Sequence, residues 1–289
     1  MTMVQPFNKT MVITGASTGI GAACARHFAS QGWRVYAGVR REEDGVRLAQ
    51  GVPDNLLPLM LDVESDRSVR GAVETVTTAM GEEGLSALIN NAGVAISGPL
   101  ECVPLSEVRR QFDINVFGAL AVTQAFLPLI RRGAGRIVMM SSISGRITGP
   151  FLGPYSASKF ALEAMSDALR LELRPWNISV SIIEPGPIAT PIWDKSRQTA
   201  RRLRETMAAP CADLYQRRLQ RLEDVVENAA RNAIPCAEVV AAVEDALVST
   251  RPKTRYLMGR QTRLAEFVTR FLPDRLRDRL ILKSYGMQD

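Results

Sequence analysis

Residues 10–21 read Thr-Met-Val-Ile-Thr-Gly-Ala-Ser-Thr-Gly-Ile-Gly. A short apolar run, Thr10–Thr14, ends in a glycine turn, and a stretch with helical spacing, Ala22–Gln31, follows it. Glycines between a strand and a helix let the backbone turn sharply and approach a diphosphate closely. The first N–H groups of the helix and its positive dipole end then face the phosphates. The spacing is G-x-x-x-G-x-G, not the commoner G-x-G-x-x-G. Three glycines also fit an ordinary loop, but a position between the first strand and the first helix favours a nucleotide. Gly15, Ser17, Thr18, Gly19, Ile20 and Gly21 are therefore candidate nucleotide-binding residues.

Outward from this turn, short apolar runs alternate with amphipathic stretches. Strands are expected over Trp33–Val39, Leu57–Asp62, Leu85–Asn90, Gly135–Ser141 and Ile178–Glu184. Helices are expected over Ser65–Met80, Ser106–Ile130 and Tyr155–Arg174. The strands lack strict alternation, as expected when both faces of a parallel sheet are covered. Strand–helix alternation then predicts a doubly wound α/β sheet with right-handed crossovers, whose ligands sit outside the carboxyl ends of the strands. From about Pro187 the rhythm changes. Ser196–Asn228 is charged, arginine-rich and helix-like, Ala237–Ser249 is a further helix, and Arg255–Gly259 is a candidate last strand. With no linker or repeat, the chain reads as one domain over 1–289. Within it, 187–235 forms a substrate-loop and helical region, and 251–289 a basic amphipathic extension.

Composition narrows the chemistry. The 289 residues are 46% hydrophobic, enough for a sizeable core. The net charge is +6, and residues 251–289 alone hold ten Lys/Arg against four Asp/Glu, so the body is close to neutral. Basic patches interleaved with aromatics are lacking, so nucleic acid is not expected as a partner. No run of ~18 uncharged apolar residues and no signal-peptide pattern occurs, so a cytoplasmic protein without a transmembrane segment is expected. The four cysteines lie far apart without a CxxC pair, which predicts reduced structural thiols and no metal site. His27 is the only histidine, which excludes Ser-His-Asp and Cys-His catalysis and histidine-based zinc sites. Proton chemistry must fall to Tyr, Lys, Asp or Glu.

Tyr155-Ser156-Ala157-Ser158-Lys159 sets a phenol and an ammonium one helical turn apart. A free tyrosine titrates near ~10 and is a poor base at neutral pH; a neighbouring cation favours its phenolate. Such a pair is also common on ordinary helices. Ser141-Ser142 end the fifth strand, where a serine either closes a turn or binds a substrate oxygen. Asn90-Asn91-Ala92-Gly93 end the fourth, as an Asx turn or a ligand loop. Asn115 sits within a helical pattern, an unfavourable place that hints at a bonding duty.

Taken together these residues resemble the short-chain dehydrogenase/reductase family. The matching positions are Thr14-Gly15-x-x-x-Gly19-x-Gly21, Asp62-Val63, Asn90-Asn91-Ala92-Gly93, Asn115, Ser142, Tyr155-x-x-x-Lys159 and Pro185-Gly186, in the family's order across residues 10–190. The resemblance implies a Rossmann-type fold, an NAD(P) cofactor and a homo-oligomer, a dimer or tetramer. It implies Tyr155 as acid/base, Ser142 as its substrate-binding partner, and Lys159 on the nicotinamide ribose, lowering the Tyr155 pKa. Asn115 would hold a water in a proton relay. Asp62-Val63 would sit at the adenine, Asn91, Ala92 and Gly93 along the cofactor, and Pro185, Gly186, Ile188 and Thr190 at the nicotinamide. Val35–Arg40, Tyr155–Phe160 and the long C-terminus resemble hydroxysteroid and retinol dehydrogenases.

Two further expectations concern ligands. NAD-specific relatives usually place an acid after the second strand; Val39 stands there, followed by Arg40 and Arg41. A guanidinium suits a 2′-phosphate, so NADP is preferred with NAD as the alternative, and Glu42, Glu43 and Asp44 are the acids that could reverse this. Ile188, Pro191, Ile192 and Trp193 on one side and Pro150–Pro154 on the other form apolar walls. They favour a small hydrophobic substrate, a steroid, retinoid or lipid alcohol or ketone, over a small polar carbonyl. Leu264, Phe267, Val268, Phe271 and Leu272, then Leu276, Leu280, Ile281 and Leu282, lie among arginines in a pattern that packs on the body or touches an anionic membrane. A non-catalytic NAD(P)-binding sensor or scaffold on the same fold is the rival reading. The intact Ser142, Tyr155 and Lys159 set argues against it.

Overall fold

The computed structural model describes residues 9–205, 207, 209–259, 266 and 271–288. Seven parallel strands form one sheet in the order β3-β2-β1-β4-β5-β6-β7. They are β1 (Thr10–Ile13), β2 (Arg34–Val39), β3 (Leu56–Met60), β4 (Ala87–Asn90), β5 (Arg136–Met140), β6 (Ser179–Glu184) and β7 (Arg255–Leu257). The order reverses between β1 and β4, so the loops after these two strands diverge and leave a crevice at their carboxyl ends.

The sheet is covered on both faces. Met11 and Ile13 pack with Phe28 of α1 (Gly19–Ser30) and with Val239 and Val243 of α9 (Cys236–Val248). Val12, between them, packs on the other side with Val76 of α3 (Asp66–Met80), Phe126 of α5 (Ala119–Arg132) and Leu162 of α6 (Gly153–Glu172). Successive residues of one strand thus enter different cores, which is why no polar/apolar alternation marks the sequence. Each fully buried Phe or Leu contributes about 1.5–3 kcal/mol of transfer free energy.

Several elements differ from the sequence expectation. A short helix, α2 (Glu42–Ala49), follows β2, where none was expected. The long helix expected over Ser106–Ile130 is α4 (Leu105–Phe112) and α5 joined through a π-helical turn, Asp113–Gly118. Widened turns of this kind occur mostly as short interruptions of α-helices, often at functional sites. The charged stretch after β6 divides into α7 (Ile192–Glu205) and α8 (Ala209–Arg231). The run Leu105–Arg132 is long and apolar enough to cross a membrane, yet 56% of its most apolar window is buried inside the fold. Cys102 and Cys211 form a disulfide with Cα atoms 6.5 Å apart, correcting the expectation of four reduced thiols; Cys24 and Cys236 are free. Residues 109 apart in sequence become neighbours only once the cap folds back. His27 bonds Glu244 at 3.1 Å, a packing role. Of the apolar tail, Leu264, Phe267 and Val268 lie outside the described residues; Phe271, Leu276, Leu280 and Leu282 are exposed.

Candidate active site

The turn after β1 is locked to the loop after β4. The Thr14 hydroxyl accepts the backbone N–H groups of Asn91 and Ala92, both at 2.9 Å. The Asn91 side-chain amide donates to the carbonyls of Thr14 and Gly15 at 2.9 and 3.0 Å. Gly15 has φ +66°, and a Cβ there would sit 2.8 Å from Ala92 Cα. A Cβ on Gly21 would sit 2.5 Å from the Asn91 amide nitrogen and closer still to the Gly15 carbonyl oxygen. No side chain fits between these backbones. Ser17, Thr18, Gly19 and Ile20 are half-buried at the start of α1, whose first turn carries no acid. The cradle therefore fits a diphosphate both sterically and by dipole.

Other expected cofactor residues gather around the same crevice. A Cβ on Gly19 would meet Thr190 at 3.3 Å, so the loop running from Pro185 and Gly186 through Ile188 to Thr190 closes on the glycine turn. Ile188 is buried and pairs with Ile234. Asp62 and Val63 leave β3, and Val63 packs against Gly118 of the π-helical turn, where a Cβ would come within 2.8 Å. Arg40 ends β2, exposed and without an ion pair among the described residues. Arg41 and Arg47 both pair with Asp44. The hydrogen bond from Arg41 holds the Asp44 carboxyl below the usual carboxylate range. The nearest buried acid is thus already engaged and leaves Arg40 free to meet an anion.

The residues expected to handle the proton converge from three elements. Tyr155 and Lys159 lie in the first turns of α6, and Ser142 follows β5 as cap of a 3-10 turn, accepting the Ser144 N–H at 3.1 Å. Ser142 is near enough to the Tyr155 phenol to influence its titration. The buried Lys159 ammonium donates to the Met140 carbonyl at 2.7 Å and lies 5.9 Å from the centre of the Tyr155 ring. Gly93 faces it: a Cβ there would stand 3.8 Å from Lys159 Nζ and 3.3 Å from Asn115 Oδ1. Asn115, in the π-helical turn, accepts from Val94 N–H at 2.9 Å. It donates to the Val94 carbonyl at 3.0 Å and to Ser158 Oγ at 3.1 Å. Ser158 in turn donates to the Tyr155 carbonyl at 2.7 Å. The bonding duty hinted at by an asparagine in a helix is to clamp the strand-end loop to α6.

Electrostatics differs from expectation at one point. The resemblance implies a Tyr155 pKa lowered by Lys159. In the protein alone, burial pushes the phenol upward, with Ser142 pulling weakly the other way. Burial also lowers Lys159 to about 8, opposed by Glu163. Both desolvation effects favour the neutral forms.

Sequence reasoning passed over two supports of this site. Gln111 is fully buried; its amide bridges the N–H of Ile96 (2.7 Å) and the carbonyl of Val94 (2.5 Å), fixing the segment that follows Gly93. A glutamine on the apolar face of α4 was the available signal. The second, a cluster of buried charges around Glu163, has no local signal, because its members come from four separate segments.

The chain was compared with known proteins. Residues 9–201 match the family model described as short chain dehydrogenase. The NADPH-dependent 3-dehydrocapnine reductase of Ornithobacterium rhinotracheale is 35% identical over 278 residues, covering 94% of this chain and 96% of that protein. The 17-beta-hydroxysteroid dehydrogenase type 6 of Bos taurus is 34% identical, covering 96% and 89%. A solved short chain dehydrogenase/reductase from Burkholderia phymatum in complex with NAD superposes with a TM-score of 0.76 at 25% identity, covering 91% of this chain and 93% of that one. A family match over two-thirds of the sequence, near full-length relatives and a Rossmann-type sheet thus identify the chain as a member of the short chain dehydrogenase family and an oxidoreductase.

Proposed function

We propose that the protein interconverts a secondary alcohol and a ketone on a hydrophobic substrate, with Tyr155 as acid/base and NADP as preferred cofactor. The observation that carries this reading is the convergence of Ser142, Tyr155 and Lys159 beside the glycine cradle. A bound nicotinamide supplies the hydride. In the reducing direction Tyr155 gives its phenolic proton to the carbonyl oxygen as the carbon is reduced, and Ser142 donates a hydrogen bond to that oxygen. Burial pushes the Tyr155 phenol upward, which favours its protonated form in the protein alone. The Lys159 ammonium beside it favours the phenolate left behind and reaches the ribose side of the crevice. Asn115 holds α6 in register for both, and Asp62 and Val63 flank the adenine side. Pro185, Gly186, Ile188 and Thr190 close over the nicotinamide side, opposite Asn91, Ala92 and Gly93.

Arg40 supports NADP, since a 2′-phosphate gains charge-assisted bonds from a guanidinium that no carboxylate occupies. NAD is the second cofactor. An NADPH-dependent reductase and a hydroxysteroid dehydrogenase among the relatives support the cofactor and the substrate class. Trp193, whose indole donates to the Ile188 carbonyl at 2.7 Å, and Phe151, which meets Tyr215 of α8 edge-on at 5.8 Å, support an apolar substrate side. Phe117, Phe160 and Leu171 are large apolar side chains left exposed, which supports a homo-oligomer that would cover them.

Steady-state assays of steroid, retinoid and long-chain ketones against small polar carbonyls test the reading. Tyr155→Phe should bind NADPH normally and lose at least a thousandfold in kcat. Retention of more than about a tenth of kcat, a barrier change below ~1.4 kcal/mol, overturns the mechanism. A polar carbonyl turned over tenfold more efficiently than every lipid overturns the substrate class alone.

A further inference from the structure

One turn along α6 from Lys159, the carboxylate of Glu163 is buried at 6% exposure. Its Oε2 accepts both Nη2 and Nε of Arg255, at 3.2 and 3.3 Å. The Arg255 guanidinium also meets Asp167 at 2.6 Å and Glu184 at 3.3 Å. Arg146 pairs with Glu184 at 2.7 Å, and Arg170 with Asp167 at 2.9 Å. The Ser141 hydroxyl lies against Glu163, both packed on Gly145, where a Cβ would come within 2.9 Å of Ser141 Oγ and 3.0 Å of Glu163 Cγ. The cluster thus ties together the segments that carry the chemistry. Arg146 follows Ser142, Glu184 precedes Pro185, and Glu163 follows Lys159.

A buried carboxylate is costly and needs a reason. Bracing the fold accounts for Arg255 and Arg146, which Glu184 and Asp167 already satisfy. Glu163 adds a second buried anion beside Glu184, and the two repel. Its distinguishing feature is position: residues four apart on a helix face one another, and charges couple strongly where water is excluded.

We propose that Glu163 is a positioning residue for the reaction: its carboxylate, braced by Arg255, holds the Lys159 ammonium in its charged form and thereby sets the upper pH limit of turnover. This rests on the role proposed above for Lys159. Two opposed shifts agree with the geometry. Burial drives Lys159 down to about 8, and Glu163 is the charge that pulls it back up. Burial and then Glu184 drive Glu163 above the ordinary carboxylate range, against Ser141, Arg146 and Arg255. Glu163 therefore becomes fully anionic only as the pH rises, where Lys159 would otherwise lose its proton. The sign follows: charge on Lys159 is complete below its folded pKa and lost as pH climbs through it, so removing Glu163 moves that loss to lower pH.

The test reads Lys159 directly. The sequence has five lysines, so the Nζ signals of ¹⁵N-lysine-labelled protein are few enough to assign with a Lys159→Arg control. In Glu163→Gln, the Lys159 titration should fall by about one pH unit or more, and the alkaline limb of kcat/KM should move with it. Glu163→Asp should restore most of both. Should the Gln variant not fold, the Asp variant is judged against wild type, with a smaller shift of the same sign expected. A Lys159 titration or an alkaline limb that stays put in a folded variant overturns the proposal. The two readings fail separately: active Tyr155→Phe would sink the mechanism, yet leave the Lys159 titration shift in Glu163→Gln intact.

Discussion

The glycine turn and the cap formed by α7 and α8 are built by opposite rules. Around Gly15 and Gly21 backbone meets backbone, and a single added carbon would overlap the Asn91 amide or the Ala92 Cα. The cap is held by side chains at long reach: Arg202 to Glu107 at 2.9 Å, Arg204 to Glu223 at 3.0 Å, Tyr215 to Glu101. Leu214 there stays 74% exposed. The cradle has a single solution because its constraints are steric and local. Exposed ion pairs of the cap's kind contribute little each, about 0–1 kcal/mol, and many arrangements would serve. The cradle admits one backbone arrangement, whereas the cap's exposed ion pairs admit several.

Substitutions can break this comparison. Gly21→Ala should have the largest effect: loss of NADPH binding by at least a hundredfold in a fluorescence titration, with a lowered melting temperature. Near-normal binding would mean that the cradle has slack. Arg40→Ala should weaken NADPH about tenfold and leave NADH almost unchanged, measured as the ratio of Kd values. Equal losses for both would remove Arg40 from the 2′-phosphate. Leu214→Ser should change stability by no more than about 0.5 kcal/mol in urea unfolding, as expected of an exposed cap residue. A loss above about 2 kcal/mol would show that the cap is as constrained as the cradle.

The same contrast decides what the sequence discloses. The turn after β1 and the Tyr155–Lys159 pair are legible because residue type and spacing alone enforce them. The six expected strands after β1 fall on short apolar runs, three of which, Leu85–Asn90, Gly135–Ser141 and Arg255–Gly259, end in Asn, Ser and Gly. The helix α2 stays hidden because its eight residues include a central glycine, a poor helix former, and four charged residues. The π-helical turn at Asn115 depends on packing against Val94 and Ser158, which periodicity does not encode. Burial of Tyr155 likewise follows from tertiary packing, so the direction of its pKa shift was not readable from the nearness of a lysine. The Glu163 cluster joins Glu163, Asp167 and Arg170 of α6 to Arg146, Glu184 and Arg255, which lie far from them in sequence.

The Cys102–Cys211 bond makes a covalent ring of residues 102–211, and Asn115, Ser142, Tyr155 and Lys159 all lie inside it. Closing a loop of roughly a hundred residues removes about 4–5 kcal/mol of conformational freedom from the unfolded chain. The ring crosses from the loop before α4 to the first turn of α8, so it fastens the cap, whose Leu203, Leu219 and Leu222 are buried, to the body of the fold. A single backbone cut within the ring would open it yet leave the two pieces joined through the disulfide. Reduction would open the ring without touching any atom that handles the hydride or the proton.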